Sequence, residues 1–203
     1  MDTRDKLYSF IKRIEDLILS VLAMLILWPV FIIISCKIKL ESEGPVLFKQ
    51  KRIGKNKKPF NIYKFRTMRA DAPNNVPTHL LEKPDAYITK MGSWLRRTSI
   101  DEMPQLLNII KGNMSIVGPR PALWNQFDLI EERDKYGANG VLPGLTGLAQ
   151  IKGRDELSIQ EKAKYDGQYV RNYGFLIDAK IFILTFKAVF NKDGIREGEG
   201  PKK

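Results

Sequence analysis

The feature that most constrains the fold of this chain is an uncharged run of 20 residues, from Leu17 to Cys36. At about 1.5 Å per residue, a helix over this run is just long enough to cross a hydrocarbon core of about 30 Å. Pro29 lies inside the run and lacks the backbone N–H that a helix needs, which predicts a kink or break at this residue. The sequence therefore predicts a bent apolar helix near the amino terminus.

Cationic residues flank both ends of the run: Lys6, Lys12, Arg13, Lys37 and Lys39. The positive-inside rule then keeps both ends on the cytoplasmic side. A helix that enters the bilayer, bends at Pro29 and returns satisfies both observations, so residues 1–40 are predicted to form a re-entrant membrane anchor. The alternatives are a helix that crosses once and a cleavable signal peptide. The signal peptide is disfavoured because the run is long and no small-residue cleavage site follows it.

The charge balance points to an anionic partner. The chain carries 34 Lys and Arg against 23 Asp and Glu, a net charge of +11, which suits anionic headgroups, phosphorylated small molecules or nucleic acid. Nucleic acid is disfavoured because aromatic and basic residues do not interleave in a recognised binding pattern. Cys36 and His79 are the only cysteine and histidine. An intrachain disulfide is impossible, and a His-rich zinc site or a Ser-His-Asp triad is disfavoured.

Hydrophobic periodicity predicts an α+β fold that is predominantly helical, with amphipathic interfacial helices around a central core. Apolar runs on either side of a basic turn, Lys49 to Lys58, predict a small β-hairpin. Helices are predicted over four segments: 88–97, 123–136, 158–172 and 176–190. Residues 70–90 and the glycine-rich Pro143–Gln150 are predicted to be loops. The last helix suits either a core or the membrane interface. Residues 41–195 form the predicted catalytic domain, and 196–203 a flexible tail.

The candidate site is an acidic pair, Asp101 and Glu102, with Arg96 and Arg97 upstream and Arg120 downstream. Carboxylates among several cations suit a phosphorylated substrate, with arginines or a metal ion offsetting the repulsion. Asp101 is also predicted to be a helix N-cap, with Pro104 in the first turn and Gly112 ending the helix. The acidic pair would then lie at the positive end of a helix dipole. Capping alone is an alternative explanation for Asp101.

Five segments together resemble the bacterial sugar transferases, specifically the minimal form of the monotopic phosphoglycosyl transferases. They are residues 45–54 (PVLFKQKRIG), 60–68 (FNIYKFRTM), 95–121 (LRRTSIDEMPQLLNIIKGNMSIVGPRP), 143–154 (PGLTGLAQIKGR) and 165–170 (YDGQYV). These segments follow the family order between about residue 10 and residue 190. Several long motifs in order are far more specific than one short pattern.

The resemblance implies an enzyme that moves a sugar-1-phosphate from a UDP-sugar to a polyprenyl phosphate, releasing UMP. Such enzymes work at the cytoplasmic face of the bacterial inner membrane and begin the assembly of a surface glycan or glycoconjugate. Downstream glycosyltransferases are their expected partners. The family also implies a re-entrant anchor that is broken at a proline, in agreement with the prediction for Pro29.

The resemblance also implies residue roles. Asp101 is the expected nucleophile, and Glu102 holds Mg²⁺ with it or assists the lipid phosphate. Arg96, Arg120 and Lys64 are expected to bind phosphate oxygens. Arg154 and Asp166 complete the predicted substrate-binding set.

The chain departs from the family pattern at two positions, Leu142 in place of an arginine and Asp155 in place of an asparagine. If these positions touch the donor, its preference will differ from that of relatives. Arg154 could then supply part of the lost charge.

Two alternatives stay open. A membrane-tethered protein that only binds anions would be indifferent to the loss of Asp101. An enzyme with the same substrates could also transfer the group directly in a ternary complex, with Asp101 serving only to hold metal.

Overall fold

The computed structural model describes residues 3–73, 84–153 and 156–191. Seven α-helices and four short strands occur in this part of the chain. The helices are α1 Thr3–Glu41, α2 Lys90–Arg97, α3 Leu106–Ile110, α4 Phe127–Asp134, α5 Leu148–Lys152, α6 Ile159–Arg171 and α7 Phe175–Asn191. The strands are β1 Leu47–Ile53, β2 Pro59–Phe65, β3 Ser115–Val117 and β4 Gly144–Thr146. Mostly helical content with two small sheets confirms the predicted α+β class.

Helix α1 is long and apolar enough to cross a membrane, judged by its length and composition. It continues through Pro29 without interruption, so the predicted break of the helix at this residue is not observed. Loss of one backbone donor is tolerated within a helix of 39 residues, because the turns on both sides keep their own hydrogen bonds. The re-entrant path through a bilayer stays a prediction.

One side of α1 packs on the rest of the protein along most of its length. Ala23, Met24 and Leu27 contact a buried cluster formed by β2, α3 and Met114. Nearer the carboxyl end, Ile34 and Ile38 are buried with Phe65 and Leu95, and Phe31 packs against them. The opposite side of α1 leaves large apolar side chains exposed, among them Leu25, Ile26 and Ile33. The helix thus has one face in the core and another that exposes a large apolar surface.

The predicted hairpin is confirmed, with β1 and β2 antiparallel from the pair Leu47 and Phe65 to the pair Ile53 and Pro59. The turn is shorter than predicted, because Lys49–Ile53 belongs to β1 and only Gly54–Lys58 connects the strands. Lys49 and Lys51 alternate with less exposed residues, so a basic stretch that resembles a turn is a strand with one solvated face.

The segment Pro143–Gln150 was wrongly predicted to be a loop. It contains β4, which pairs in parallel with β3, and the first part of α5. A Cβ at Gly144 or Gly147 would overlap the backbone of Gly118. These glycines therefore permit close approach of two backbones, and do not mark an irregular loop.

The two carboxyl-terminal helices agree with their predicted positions. Ser158 caps α6 in a capping box with Glu161, a pattern that is fixed by local sequence. Helix α7 buries Ile181 completely but leaves Leu176 84% exposed and Phe182, Ile183 and Phe186 exposed. Helix α7 therefore contributes to the core on one face and presents an apolar surface on the other. The predicted helix over 123–136 is shorter, because α4 begins only at Phe127.

Candidate active site

The acidic pair lies in a short 3₁₀ helix, Ile100–Gln105, which we call the acidic segment and which leads directly into α3. The prediction that Asp101 is the N-cap is wrong: Ser99, in the left-handed conformation, precedes the helix, and Asp101 lies inside its first turn. The reason is that the chain turns sharply after α2, so that the Glu102 N–H donates to the Ser99 carbonyl at 3.2 Å. Gly112, with φ of 82°, follows α3 as predicted.

Glu102 is held by two of the predicted cations. Lys64 Nζ, from β2, lies 2.7 Å from Glu102 Oε1. Arg120, from the loop after β3, donates from Nη2 to Oε1 at 2.7 Å and from Nη1 to Oε2 at 3.3 Å. A two-pronged arginine contact fixes the orientation of a carboxylate better than a single bond does. Within the acidic pair, Glu102 is therefore the residue that forms ion pairs with the neighbouring cations.

Asp101 is buried, with 8% of its surface exposed, and its surroundings differ from those of Glu102. In the part of the chain that the structure describes, no residue donates a hydrogen bond to its carboxylate. Burial raises the pKa of Asp101, and the negative charge of Glu102 raises it further, against the opposing effects of Lys64, Arg96 and Arg120. Asp101 is a carboxylate surrounded by cations without being bound to any one of them.

Lys64 is a largely buried cation at the centre of this arrangement, with 17% of its side chain exposed. Burial lowers its pKa, the carboxylate of Glu102 opposes that change, and the neighbouring Arg120 guanidinium adds to it. A lysine in such a position is stabilised by its carboxylate partner, and its charge is little screened by water.

A cleft of about 480 Å³ opens beside the acidic segment, and Asp101, Lys64 and Arg96 line it. Its volume is in the range of sites that hold small molecules, about 300–1,000 Å³. Arg96 reaches the cleft from the last turn of α2. The structure thus brings together five predicted residues from four different segments: Lys64, Arg96, Asp101, Glu102 and Arg120.

Other predicted residues lie elsewhere. Asp166, in α6, is buried against Arg133 of α4, with Nη2 2.6 Å from its Oδ2, and its predicted binding role stays a prediction. Leu142 lies beside a small cavity of about 20 Å³ that Lys12 and Asp16 also line, not in the cleft. Arg154 and Asp155 lie outside the described residues.

Sequence reasoning missed Arg52 and Arg66, which also line the cleft. Arg52 donates to the side chain of Gln50 and to the Pro121 carbonyl, and so joins the hairpin to the segment that carries Arg120. The signal that could have found these arginines is strand alternation. Because Phe48 pairs with Lys64, Gln50, Arg52 and Arg66 fall on the same face as Lys64.

The donor set suits Mg²⁺ only in part. Within the described ranges no cluster of three or more His, Cys, Asp or Glu side chains could hold a metal ion. Mg²⁺ is commonly bound by one or two carboxylates together with substrate phosphates, and Asp101 and Glu102 could supply that number. The acidic pair therefore fits a metal that arrives with its substrate better than a permanent protein-bound metal.

Comparison with known proteins identifies the family of this chain. The family model for the bacterial sugar transferases matches residues 7–192. The chain belongs to the bacterial sugar transferase family.

Three relatives show how this family member compares in length. It is 41% identical over 190 residues to the UDP-glucose:undecaprenyl-phosphate glucose-1-phosphate transferase of Escherichia coli (strain K12), covering 90% of the chain but 41% of the relative. It is 39% identical to the uncharacterized sugar transferase EpsL of Bacillus subtilis (strain 168), covering 92% of the chain and 91% of EpsL. It is 36% identical to the exopolysaccharide production protein ExoY of Sinorhizobium fredii, and the match covers 88% of the chain and 84% of ExoY. The sugar transferase thus spans about two fifths of the E. coli relative and nearly all of EpsL.

Proposed function

We propose that this sugar transferase moves a sugar-1-phosphate from a UDP-sugar to a polyprenyl phosphate, giving UMP and a polyprenyl-diphosphate sugar. The observation that carries the proposal is the buried Asp101 carboxylate, open to a cleft lined by cations. The names of the relatives from E. coli and Xanthomonas campestris describe this type of transfer with UDP-glucose and undecaprenyl phosphate. The site and the relatives thus support the same reaction class, which would begin the assembly of a surface glycan or glycoconjugate.

The reaction proceeds in two displacements. An oxygen of Asp101 attacks the β-phosphorus of the UDP-sugar, and the bond from this phosphorus to the bridging oxygen breaks, so that UMP leaves with the electron pair. The sugar phosphate is then bound to Asp101 as an acyl phosphate. An oxygen of the polyprenyl phosphate attacks the same phosphorus, and the bond to Asp101 breaks, which restores the carboxylate.

The cations around Asp101 explain how a weak nucleophile could act. A carboxylate and a diphosphate repel each other, so alignment and charge stabilisation must supply most of the acceleration. Lys64, Arg96 and Arg120 surround the acidic pair and would bind the phosphate oxygens. Because Glu102 is bound by Lys64 and Arg120, it also fixes the position of the cations that the substrate meets.

Mg²⁺ would be held by Asp101 and Glu102 together with substrate phosphates, where it would neutralise the charge that develops on the leaving phosphate. The test of this role is the dependence of UMP release on added Mg²⁺, compared between the wild type and Glu102→Gln.

The enzyme is proposed to act at the cytoplasmic face of the inner membrane through α1. Near the start of α1, Arg13 donates to the carbonyls of Ile109 and Ile110 at 2.6 and 2.9 Å. At its end, Glu41 accepts from the backbone of Lys90 and Met91. The contacts of Arg13 and Glu41 place both ends of α1 on the same domain. These contacts favour a path in which α1 enters and leaves the bilayer on one side. The flanking cations favour the cytoplasmic side.

The test is UMP release from a panel of UDP-sugars in the presence of polyprenyl phosphate and Mg²⁺, with Asp101→Asn measured in parallel. Release from one sugar that is abolished in the variant would support the reaction class and name the donor. Equal release from both proteins would remove Asp101 from the chemistry. No release, together with no thermal stabilisation by any UDP-sugar, would contradict the proposal.

A further inference from the structure

Arg66 is a buried arginine whose side chain is used to hold the end of α1. Its Nη2 donates to the Ser42 carbonyl at 2.6 Å and to Ser42 Oγ at 3.0 Å, and reaches the Ile38 carbonyl at 3.5 Å. Its Nη1 donates to the Glu43 carbonyl at 2.5 Å. The carbonyls of Ser42 and Glu43 belong to the two residues that follow Glu41, the last residue of α1, and Arg66 supplies donors to both from one rigid group.

The chain after α1 is shaped around this guanidinium. Gly44 has φ of 114°, a conformation that favours glycine. A Cβ at Gly44 would overlap Nη1 of Arg66. The residues from Ile38 to Gly44 therefore enclose the Arg66 side chain, and a larger residue at position 44 could not be accommodated without moving it.

Arg66 follows Lys64 by two residues along β2 and its immediate extension, so both side chains lie on one face. Lys64 binds Glu102 of the acidic segment at 2.7 Å. The backbone N–H of Arg66 also donates to the Val46 carbonyl at 2.9 Å, which continues the hairpin pairing. The strand that presents Lys64 is thus fixed at its end to α1.

The acidic segment is fixed to the same helix from the other direction. Arg13, in the first third of α1, binds the carbonyls of Ile109 and Ile110 at the end of α3, and α3 continues directly from the acidic segment. Asp16 Oδ1 accepts from the Ile116 backbone at 3.0 Å, close to the loop that carries Arg120. Helix α1 is therefore the common support of the acidic pair and of the cations around it.

We propose that Arg66 is a positioning residue: by binding the end of α1 it holds the strand that carries Lys64, and so sets the distance between Lys64 and the acidic pair. Arg66 acts through Lys64 and α1, and both of its Nη atoms are occupied by backbone carbonyls. The membrane helix then contributes to the geometry of the active site as well as to attachment. This inference rests on the proposed function for its catalytic readout.

The test uses the full chain in detergent micelles and the variant Arg66→Lys, which keeps the charge but not the fork that reaches several carbonyls. Arg171→Lys is the matched control, because Arg171 is exposed on α6. We expect UMP release by Arg66→Lys to fall on the order of tenfold to a hundredfold, because small misplacements of catalytic groups lower reaction rates by such factors. We expect no change in Arg171→Lys.

A double-mutant cycle separates positioning from a general loss of folded protein. If Arg66 acts through Lys64, Arg66→Lys will lower UMP release little further once Lys64→Met is present. If Arg66 only supports the folded structure, Arg66→Lys will lower UMP release by the same factor in the wild type and in Lys64→Met. Equal losses would overturn the proposal.

A second readout does not depend on activity. Competitive acylation of lysines, measured peptide by peptide by mass spectrometry, reports how accessible and how basic each amine is. We expect Arg66→Lys to increase the labelling of Lys64 severalfold and to leave that of the exposed Lys51 unchanged. If the wild type releases no UMP from any donor, the proposed function fails, and Lys64 labelling alone decides: unchanged labelling would overturn the role of Arg66.

Discussion

Two buried aspartates of this protein lie near lysines, but they differ in how they are bound. Asp178, in α7, accepts hydrogen bonds through Oδ2 from Lys12 Nζ at 2.5 Å and from the Tyr8 hydroxyl at 2.7 Å. Asp101, in the acidic segment, is equally buried, but no described residue donates a hydrogen bond to its carboxylate. One aspartate is bound within the protein, and the other faces a cleft.

The difference separates a buried carboxylate that holds two helices together from one that faces a cleft, which is the one we propose to take part in the chemistry. Removing one partner of a buried ion pair is costly because the other charge is left unpaired. A buried carboxylate without a direct partner is instead a cost to the folded state, and proteins keep such groups at functional sites. The Asp178 contacts join α1 to α7, whereas Asp101 faces the cleft and is the proposed nucleophile.

The largest expected effect is the loss of activity in Asp101→Asn. The amide is close to the carboxylate in size but is not a nucleophile, so UMP release should fall at least about a thousandfold. Steady-state UMP release in the presence of polyprenyl phosphate measures this loss of activity. The control is Asp134→Asn, because Asp134 is an exposed aspartate on α4. A reduction of less than tenfold would mean that Asp101 is not the nucleophile.

Asp178→Asn should instead lower stability. The substitution leaves Lys12 buried without a carboxylate, which should reduce the free energy of unfolding by about 3 kcal/mol. Denaturant titration in detergent micelles measures this change. Asp134→Asn is again the matched control, since its pair with Lys57 is about half exposed and should contribute less than about 1 kcal/mol. Equal losses in the two variants would contradict the distinction between the aspartates.

The stability of Asp101→Asn should depend on pH in a defined direction. Because burial raises the pKa of Asp101 in the folded state above its ordinary value of 3.8, ionisation is costlier when the protein is folded. The cost is absent below pH 3.8, grows as pH rises towards the folded pKa, and is complete above it. At neutral pH the variant should therefore be more stable than the wild type, by on the order of 1 kcal/mol.

Unfolding measurements at several pH values test this prediction. The stability gain should shrink as the pH is lowered towards 4. A variant that is less stable than the wild type at neutral pH would show that the surrounding cations stabilise Asp101 by more than burial costs.

The smallest expected effect concerns Leu142, which lies beside the Lys12 and Asp16 side chains and away from the cleft. Leu142→Arg should leave the ratio of kcat/KM values for two UDP-sugars within about twofold, because specificity is set by groups that contact the substrate in the transition state. A larger change in that ratio would place position 142 in contact with the donor.

The sequence predicted those elements that short-range patterns determine. The hairpin followed from strand alternation around Phe60–Phe65, and the helix predicted over residues 158–172 agrees with α6. The acidic pair and its cations followed from their chemistry and from the family resemblance. The hairpin and α6 needed only residues that are close together in the chain, whereas Lys64 lies 38 positions from Glu102 and was assigned through the resemblance.

Other features depend on distant contacts. The pairing of Lys12 with Asp178 joins residues 166 positions apart, and the parallel pairing of β4 with β3 gives a glycine-rich segment a regular structure. The role of Asp101 as an N-cap was wrongly predicted because Ser99 adopts a left-handed conformation, which local preference disfavours for serine. Distant contacts decided the first two features, and a disfavoured local turn at Ser99 decided the third, so the usual local patterns did not identify them.

The most direct test of the central claim is a search for a covalent adduct on Asp101. The protein would be incubated with the UDP-sugar that supports turnover, without polyprenyl phosphate, and analysed by intact-mass and peptide mass spectrometry. We predict a mass gain of one sugar phosphate, located on the peptide that contains Asp101, together with UMP release in proportion to the enzyme. UMP release that occurs only when polyprenyl phosphate is present, with no mass gain on the protein, would contradict the account and favour direct transfer.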